Sequence, residues 1–242
     1  MKVQVYIPSR MASTRLPGKP LADINGLPMI CHVVNRANEA NVGAVFVACD
    51  DDKIAEAVKG HGGKAIMTDS ELPSGSDRIW QAVQRQIEQG GEKPDIIINV
   101  QGDEPFLPPE LLEEAVDVFQ KNDWVDVVTF AHEISDDADK TDFGMVKLVT
   151  DMNGKAHYFS REPIPHGAAV MKRHIGFYAY KYSALEQFVA NDPSPLEIQE
   201  KLEQLRGLDI GLNYYVAMTD KAPIGVDTPE DLEKARALGE SL

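Results

Sequence analysis

Short apolar runs alternate with segments of helical character through the first half of the chain, and this alternation restricts the possible folds more than any other feature. The runs within "AVFVACD" (44–50) and "DIIINV" (95–100) are continuously apolar, which is typical of strands buried on both faces. Segments 51–63, 76–91 and 108–122 have the apolar spacing of helices. We therefore predict an α/β fold with a mostly parallel, doubly wound sheet, in which ligands bind beyond the carboxyl ends of the strands.

Turn and cap residues predict where several of these elements begin. Alternating apolar and polar residues before Pro8 predict a first strand at 2–7, and Pro28 is at a helix-start position. A later helix is predicted to begin at Ser76 or Asp77 as its N-cap. The last helix has Asp227 or Thr228 as its cap, with a proline following in the first turn.

The pattern changes from about residue 125, where strand-like segments such as "VDVVTF", "MVKLVT" and "RHIGFYAY" are joined by turns instead of helices. This change predicts an antiparallel, strand-rich subdomain at about 125–182. No segment rich in Gly, Ser or Pro separates it as an independent unit, so we predict a single domain over residues 1–242.

Composition restricts the classes of partner. The formal net charge of −15 argues against general nucleic-acid binding and against docking on an anionic membrane, because both need an excess of cations. No apolar run is long enough to span a bilayer, and no signal-peptide pattern precedes the first strand. We therefore expect a cytoplasmic protein without membrane insertion, in which the two cysteines are buried free thiols.

Three cations follow the first predicted strand in "IPSRMASTRLPGKP" (7–20): Arg10, Arg15 and Lys19. The segment is not the phosphate-binding G-x-x-x-x-G-K-[ST] motif, because Ser13 and Pro20 occupy two of the motif's required positions. Backbone N–H groups and the three cations are suited to holding a triphosphate, whereas a solvated basic loop is the simpler interpretation.

Acidic residues that follow predicted strands are candidates for binding Mg²⁺. Asp103 comes after a buried strand and after Gly102, which allows a ligand to approach the backbone. Asp227 follows an apolar residue and precedes a helix. A turn former for the first and a plain N-cap for the second are the alternatives.

Other polar residues have two interpretations each. Ser74, Gly75 and Arg78 suit either a nucleotide contact or a turn followed by a capped helix. His174 shares a strand face with Tyr178, which fits either a binding site or an ordinary histidine satisfied beside aromatic rings. Arg161 is a further polar candidate, and Glu203 and Gln204 suit either sugar hydroxyls or a solvated helix face.

Taken together and in this order, the motifs resemble those of the 3-deoxy-manno-octulosonate (Kdo) cytidylyltransferases over nearly the whole chain. The matching segments are "STRLPGKPLADINGLPMI", "GGKAIMT", "SGSDR", "NVQGDEP", "VK" (146–147), "YFSR", "RHIGFYAY", "SPLE", "LEQLR" and "GVDTPEDLE". The resemblance implies a Rossmann-like nucleotide-sugar transferase fold, transfer of CMP from CTP to Kdo with release of pyrophosphate for lipopolysaccharide biosynthesis, and a homodimer.

The resemblance also implies roles for individual residues. The magnesium ligands are Asp103 and Asp227, which with Lys19 and Arg15 form the catalytic set. The nucleotide-binding residues are Arg10, Arg15, Lys19, Ser74, Gly75 and Arg78, and the sugar-binding residues are Gln101, Arg161, His174, Tyr178, Glu203 and Gln204.

Two alternatives remain from the sequence. The loop at 166–172, "HGAAVMK", is shorter than the family's usual one, which leaves room for a modified Kdo such as the 8-amino analogue or another acidic sugar. A nucleotide-binding protein without turnover is the alternative from another class, although the presence of Lys19, Asp103 and Asp227 together argues against it.

Overall fold

The computed structural model describes residues 1–221 and 223–239. The chain divides into two compact units, one formed by residues 1–113 together with the segment from 223 onwards, and the other by residues 114–221. The predicted single domain over 1–242 includes four positions outside the described residues and remains a prediction. Across the described residues, no helix has the length and apolar character needed to cross a membrane.

The first unit is built on a parallel sheet. Four strands pair in the order β6-β1-β4-β5, and every pairing is parallel. A separate two-stranded hairpin, β2 with β3, follows a short 3-10 helix at Lys19–Leu21. The strands are β1 (Val3–Ser9), β2 (Asp23–Ile24), β3 (Leu27–Pro28), β4 (Ala44–Cys49), β5 (Ala65–Met67) and β6 (Ile96–Asn99).

Helices connect these strands in the alternation that the sequence predicts. They are α1 (Met29–Glu39), α2 (Asp52–Gly60), α3 (Gly75–Glu88), α4 (Glu110–Lys121), whose later residues belong to the second unit, and the last helix of the chain, α9 (Pro229–Gly239). Strand β1 lies between β4 and β6, and Val5, Tyr6 and Ile7 are fully buried, as expected of a central parallel strand. The predicted mostly parallel α/β sheet is confirmed.

The predicted cap of α3 is wrong by two residues or more. Ser74, instead of Ser76 or Asp77, is the N-cap, because its backbone is extended and its hydroxyl accepts a hydrogen bond from the Asp77 N–H. Ser76 and Asp77 lie inside the first helical turn, where the carboxylate of Asp77 also accepts from the Ser74 hydroxyl.

The second unit contains the antiparallel strands predicted for the middle of the chain. Strand β10 pairs antiparallel with β7 and with β8, β8 pairs antiparallel with β9, and β11 pairs parallel with β7. The strands are β7 (Val127–Ile134), β8 (Lys147–Thr150), β9 (Ala156–Ser160), β10 (Met171–Lys181) and β11 (Tyr214–Met218).

Four further helices belong to the second unit: α5 (Asp137–Thr141), α6 (Tyr182–Val189), α7 (Pro195–Glu200) and α8 (Gln204–Asp209). Helix α5 contradicts the expectation that the strand-rich segment is joined by turns alone. It begins at the cap Asp136, whose carboxylate accepts from the Ala138 N–H, and its five residues are too few to produce an apolar periodicity in the sequence.

A buried ion pair joins α7 to α8. The guanidinium of Arg206 donates through Nε and Nη2 to the two carboxylate oxygens of Glu197, at 2.7 Å each, and lies over the Phe188 ring. The two side chains are 7% and 12% exposed. Such a pair contributes little net free energy when intact, but either charge left alone in this position is costly.

We expect Arg206→Met to lower the free energy of unfolding by about 3 kcal/mol, because the Glu197 carboxylate would remain buried without its bidentate partner. Urea unfolding of the two proteins measures the difference. Lys121→Met is the control, since Lys121 pairs with Asp117 on an exposed helix face and its loss should cost less than about 1 kcal/mol. An Arg206→Met variant no less stable than this control would contradict the prediction.

Candidate functional site

Lys19 lies between two acidic residues that are far from it and from each other in the sequence. Its ammonium is 2.6 Å from Asp103 Oδ2 and 2.8 Å from Asp227 Oδ1, and its side chain is 15% exposed. Gly18 precedes it with a φ of 68°, a left-handed conformation that glycine adopts without strain and that starts the 3-10 helix carrying Lys19. The three residues therefore form one charged cluster within the first unit.

Close backbone contacts place the two acids at this point. A Cβ on Gly102 would lie 2.7 Å from the carbonyl oxygen of Pro8, so only glycine lets the segment after β6 pass the end of β1 at this distance. The Val226 N–H donates to the carbonyl oxygen of Asp103 at 2.9 Å. The segments that carry Asp103 and Asp227 are thus joined through their backbones beside Lys19.

Asp227 is not engaged as the cap of α9. The Thr228 hydroxyl accepts from the Asp231 N–H at 3.2 Å, and the Asp231 carboxylate accepts from the Thr228 N–H at 3.1 Å, which together form a capping arrangement. The side chain of Asp227 instead faces Lys19, and its Oδ1 is also 3.1 Å from Arg15 Nη2. Of the two predicted caps, Thr228 performs this role.

The remaining predicted cations of the first unit differ in exposure. Arg10 and Arg15 are exposed on the loop after β1, where a phosphate group is able to reach them. The guanidinium of Arg78 is buried and donates to Thr68 Oγ1 at 2.6 Å and to the carbonyl oxygen of Asp69 at 3.2 Å. Within the first unit, Arg78 therefore holds the loop before Ser74.

Asp50 is a residue of this region that the sequence analysis did not single out. Its Oδ1 accepts from the Met11 N–H at 3.0 Å, and its Oδ2 is 3.5 Å from Arg78 Nη2. It therefore connects the loop that carries Arg10 with the start of α3. The sequence feature that could have identified Asp50 is its position directly after the apolar run of β4.

Ser74 and Gly75 form the start of α3. The Ser74 hydroxyl takes part in the helix cap, and a Cβ on Gly75 would contact Pro8 at 3.6 Å, so this turn lies against the end of β1. Gln101, predicted as a sugar ligand, follows β6 in the same unit, and its carbonyl oxygen accepts from the Glu104 N–H at 3.3 Å.

Glu104 is a buried carboxyl next to Asp103. Its burial, together with the negative charge of Asp103, raises its pKa to about 8. The neighbouring Asp103 carries the accessible carboxylate, so the two adjacent acids differ in character because one is turned into the protein and the other toward Lys19.

The two carboxylates that Lys19 joins fit a magnesium ion. Both present an oxygen to one small cationic group, and Mg²⁺ is usually held by one or two carboxylates together with substrate phosphates and water. Within residues 1–221 and 223–239, no group of three or more His, Cys, Asp or Glu side chains is arranged to hold a metal ion.

In the second unit, His174 and Tyr178 lie beside each other on β10, with ring centroids 5.4 Å apart. The His174 and Phe159 rings are nearly perpendicular, with centroids 5.1 Å apart, and His174 Nε2 is 2.9 Å from Thr129 Oγ1. Burial lowers the pKa of His174 to about 3 and raises that of Tyr178 well above its ordinary value. Both side chains are therefore neutral hydrogen-bonding groups at neutral pH.

Arg161 follows β9 and is held by backbone carbonyl groups. Its Nη1 donates to Phe143 at 2.9 Å, and its Nε donates to Glu200 at 3.1 Å. Lys147, which is fully buried, donates to three carbonyl oxygens, those of Asp142 (2.9 Å), Met145 (2.7 Å) and Arg161. Lys147 therefore fixes the backbone that carries Arg161.

Three acidic or amide residues lie at the end of α7 and the start of α8: Glu200, Glu203 and Gln204. The carboxylate of Glu200 accepts from the Ser160 hydroxyl at 2.9 Å and from the Arg161 N–H at 3.1 Å. Glu203 is half-buried just before α8, and Gln204, its first residue, is buried. Glu200 and Lys147 were not among the predicted site residues, although Lys147 lies in the "VK" segment (146–147) that carries part of the family resemblance.

Comparison with known proteins identifies the family of this chain. Residues 5–219 match the cytidylyltransferase family, which defines the class of protein. The 3-deoxy-manno-octulosonate cytidylyltransferase of Rhodospirillum rubrum is 48% identical over 239 residues, covering 97% of this chain and 94% of the relative. The protein of the same name from Parvibaculum lavamentivorans is 50% identical over 237 residues, covering 96% and 91%. The chain therefore belongs to the cytidylyltransferase family, with the 3-deoxy-manno-octulosonate cytidylyltransferases as relatives, and the resemblance seen in its motifs is confirmed.

Solved structures support the same relationship. The structure of a CMP:2-keto-3-deoxy-manno-octonic acid synthetase complexed with CTP superposes with a TM-score of 0.92 at 40% identity, over the whole of both chains. A glucose-1-phosphate thymidylyltransferase from Bacillus anthracis, at 16% identity and a TM-score of 0.68, covers 99% of this chain and 96% of its own, and shares the fold.

The lowered pKa of the half-buried His174 should make the stability of the protein depend on pH. Its pKa of about 3 in the folded protein is below its ordinary 6.5, so between these values the unfolded chain binds a proton that the folded chain does not. The free energy of unfolding should therefore fall as the pH decreases from 6.5 toward 3, by at most about 1.4 kcal/mol per pH unit from this residue.

We expect His174→Gln to remove this part of the pH dependence, measured as the difference between urea unfolding of variant and parent at several pH values. The exposed His157→Gln is the control for loss of a histidine. Equal pH slopes for His174→Gln and the parent would show that His174 does not titrate as described.

Proposed function

We propose that the protein transfers CMP from CTP to the anomeric hydroxyl of Kdo and releases pyrophosphate, forming CMP-Kdo for lipopolysaccharide biosynthesis. The observation that carries this proposal is the cluster of Lys19 with Asp103 and Asp227, past the end of the central strand β1. The names of the relatives and the CTP complex of the similar synthetase support the choice of nucleotide and sugar.

In this proposal the exposed loop after β1 binds the triphosphate. Arg10 and Arg15 direct planar guanidinium groups toward phosphate oxygens, and Lys19 supplies a compact charge. Ser74 and Gly75 bind the nucleoside part of CTP at the start of α3. Arg78 stabilises the loop before Ser74 through its hydrogen bond to Thr68. Backbone N–H groups at the helix start add donors without adding charge.

The reaction is an in-line attack of the sugar hydroxyl on the α-phosphorus, and the protein contributes position and charge neutralisation. Asp103 and Asp227 would hold Mg²⁺, which when bound neutralises phosphate charge and favours deprotonation of the attacking hydroxyl. Lys19 and Arg15 stabilise the negative charge that develops on the transferring and leaving oxygens.

The sugar pocket in this proposal consists of neutral and charged hydrogen-bonding groups. His174 and Tyr178 are neutral groups beside aromatic walls, and Arg161 is the cation suited to the sugar carboxylate. Glu203 and Gln204 are the other proposed members in this unit, and Gln101 of the first unit is proposed separately as a sugar ligand.

Three finer features belong to the same proposal. A modified Kdo, such as the 8-amino analogue, or another acidic sugar is the alternative substrate, because the loop before β10 is short. A homodimer and a cytoplasmic location are proposed from the family resemblance.

A pyrophosphate-release assay with CTP and Mg²⁺ tests the proposed function. We expect turnover with Kdo and weaker or no turnover with sialic acid. Faster turnover with the 8-amino analogue than with Kdo would favour the modified sugar as the substrate. Turnover with sialic acid alone would refute the Kdo proposal, and no turnover with any acidic sugar would refute the enzyme proposal.

Asp103→Asn and Asp227→Asn should each reduce kcat by about 100-fold or more while leaving the fold intact, because each replaces a charged metal ligand by a neutral one of the same shape. Steady-state kinetics across Mg²⁺ concentrations, with circular dichroism, measure both effects. Asp117→Asn makes the same chemical change on an exposed face of α4 and should leave kcat unchanged. Near-normal kcat in both site variants would contradict the metal assignment.

A further inference from the structure

The side chain of Thr129, fully buried on β7, is surrounded by three polar neighbours of β10. Its Oγ1 is 2.8 Å from the carbonyl oxygen of Phe177, 3.3 Å from that of Ile175 and 2.9 Å from His174 Nε2. These neighbours are available because the register between β10 and β7 shifts between Ile175 and Tyr178. One hydroxyl thus contacts two backbone acceptors and one imidazole nitrogen.

The number of protons in this group determines the direction of each hydrogen bond. A threonine hydroxyl has one proton to donate and two lone pairs, whereas a carbonyl oxygen only accepts. At 2.8 Å, the contact with Phe177 requires the hydroxyl proton, because two oxygens this close without a proton between them would repel each other. The hydroxyl therefore has no proton left for His174, and the imidazole must donate.

We infer that Thr129 holds His174 in the neutral tautomer with its proton on Nε2, so that Nδ1 is an acceptor that receives a hydrogen bond from a hydroxyl group of the sugar substrate. This inference rests on the proposed function, which places His174 in the sugar pocket. Thr129 is accordingly a positioning residue, which acts on the substrate through His174.

The surroundings of His174 agree with this assignment. In the part of the chain that the structure describes, its ring forms its side-chain hydrogen bond through Nε2, and the rings of Phe159 and Tyr178 lie beside it. Burial opposes the doubly protonated form of the ring, as its lowered pKa indicates. An acceptor nitrogen repels a carboxylate, so His174 would recognise a hydroxyl and leave the sugar's carboxylate to a cation such as Arg161.

The tautomer is measured directly by ¹⁵N NMR of the histidine-labelled protein at neutral pH, with His174→Gln used to assign the signal. We expect a protonated Nε2 and an unprotonated Nδ1 in the parent and in Thr129→Ser, which keeps the hydroxyl. Thr129→Val has nearly the same shape but no hydroxyl. In this variant the proton should no longer be confined to Nε2, so the signals of Nε2 and Nδ1 should become more alike. A protonated Nδ1 in the parent would overturn the inference, whether or not the enzyme uses Kdo.

Kinetics test the role in substrate binding. Thr129→Val should raise the KM for the sugar by about threefold to tenfold, the effect of one hydrogen bond, and leave the KM for CTP within twofold. Thr129→Ser should restore the sugar KM. Equal changes in both KM values, or no change in either, would overturn the role of Thr129 in sugar binding. Thermal melting is the control that identifies a variant with lowered activity because it unfolds.

Deoxy analogues of Kdo, each lacking one hydroxyl, identify the partner of Nδ1. One analogue should lose kcat/KM with the parent enzyme and lose distinctly less with Thr129→Val, because the hydrogen bond has already been weakened there. If every analogue loses the same factor with both enzymes, Nδ1 does not bind a hydroxyl. Absence of turnover with all acidic sugars would instead refute the proposed function, while the NMR pattern would still decide the tautomer.

Discussion

The first unit depends on the parallel pairing of β1 with β4 on one side and with β6 on the other. Parallel strands end at the same edge, so the segments that leave β1, β4 and β6 begin close together. Lys19, Asp50 and Asp103 come from these three segments. The close passage of Gly102 past Pro8 is possible only because glycine has no Cβ, and it brings the acid of β6 beside the loop of β1.

Two ionic groups at the carboxyl ends of β1, β4 and β6 differ in their exposure to solvent. The Lys19 cluster is partly exposed, so its charges remain available to a ligand, and one ammonium prevents two carboxylates from repelling each other. The side chains of Asp50 and Arg78 are almost completely shielded from solvent. Their contact is therefore suited to holding the loop after β1 and the loop before α3 in place instead of binding substrate. The same residue types are thus suited to binding or to structural support according to their access to water.

Buried polar groups have a similar supporting role in the second unit. The ammonium of Lys147 donates to backbone carbonyl oxygens. The Thr129 hydroxyl donates its one proton to the carbonyl oxygen of Phe177 on β10. Each arrangement fixes a neighbouring residue: Lys147 fixes the backbone of Arg161, and Thr129 fixes the orientation of the His174 ring. A buried polar group without such partners would cost free energy, so these contacts are strongly specified.

The sequence by itself determined the alternation of strands and helices in the first half of the chain, the parallel sheet and the positions of the charged loops, because periodicity and turn residues act over a few neighbours. It misplaced the cap of α3 and missed α5, where several polar residues compete for a cap or where the helix is too short to show a period. Only the tertiary structure decided that Asp227 faces Lys19 while Thr228 caps the helix, that Arg78 is buried, and that Thr129 contacts His174. Those pairs join distant segments, and no local pattern encodes which distant group a side chain will meet.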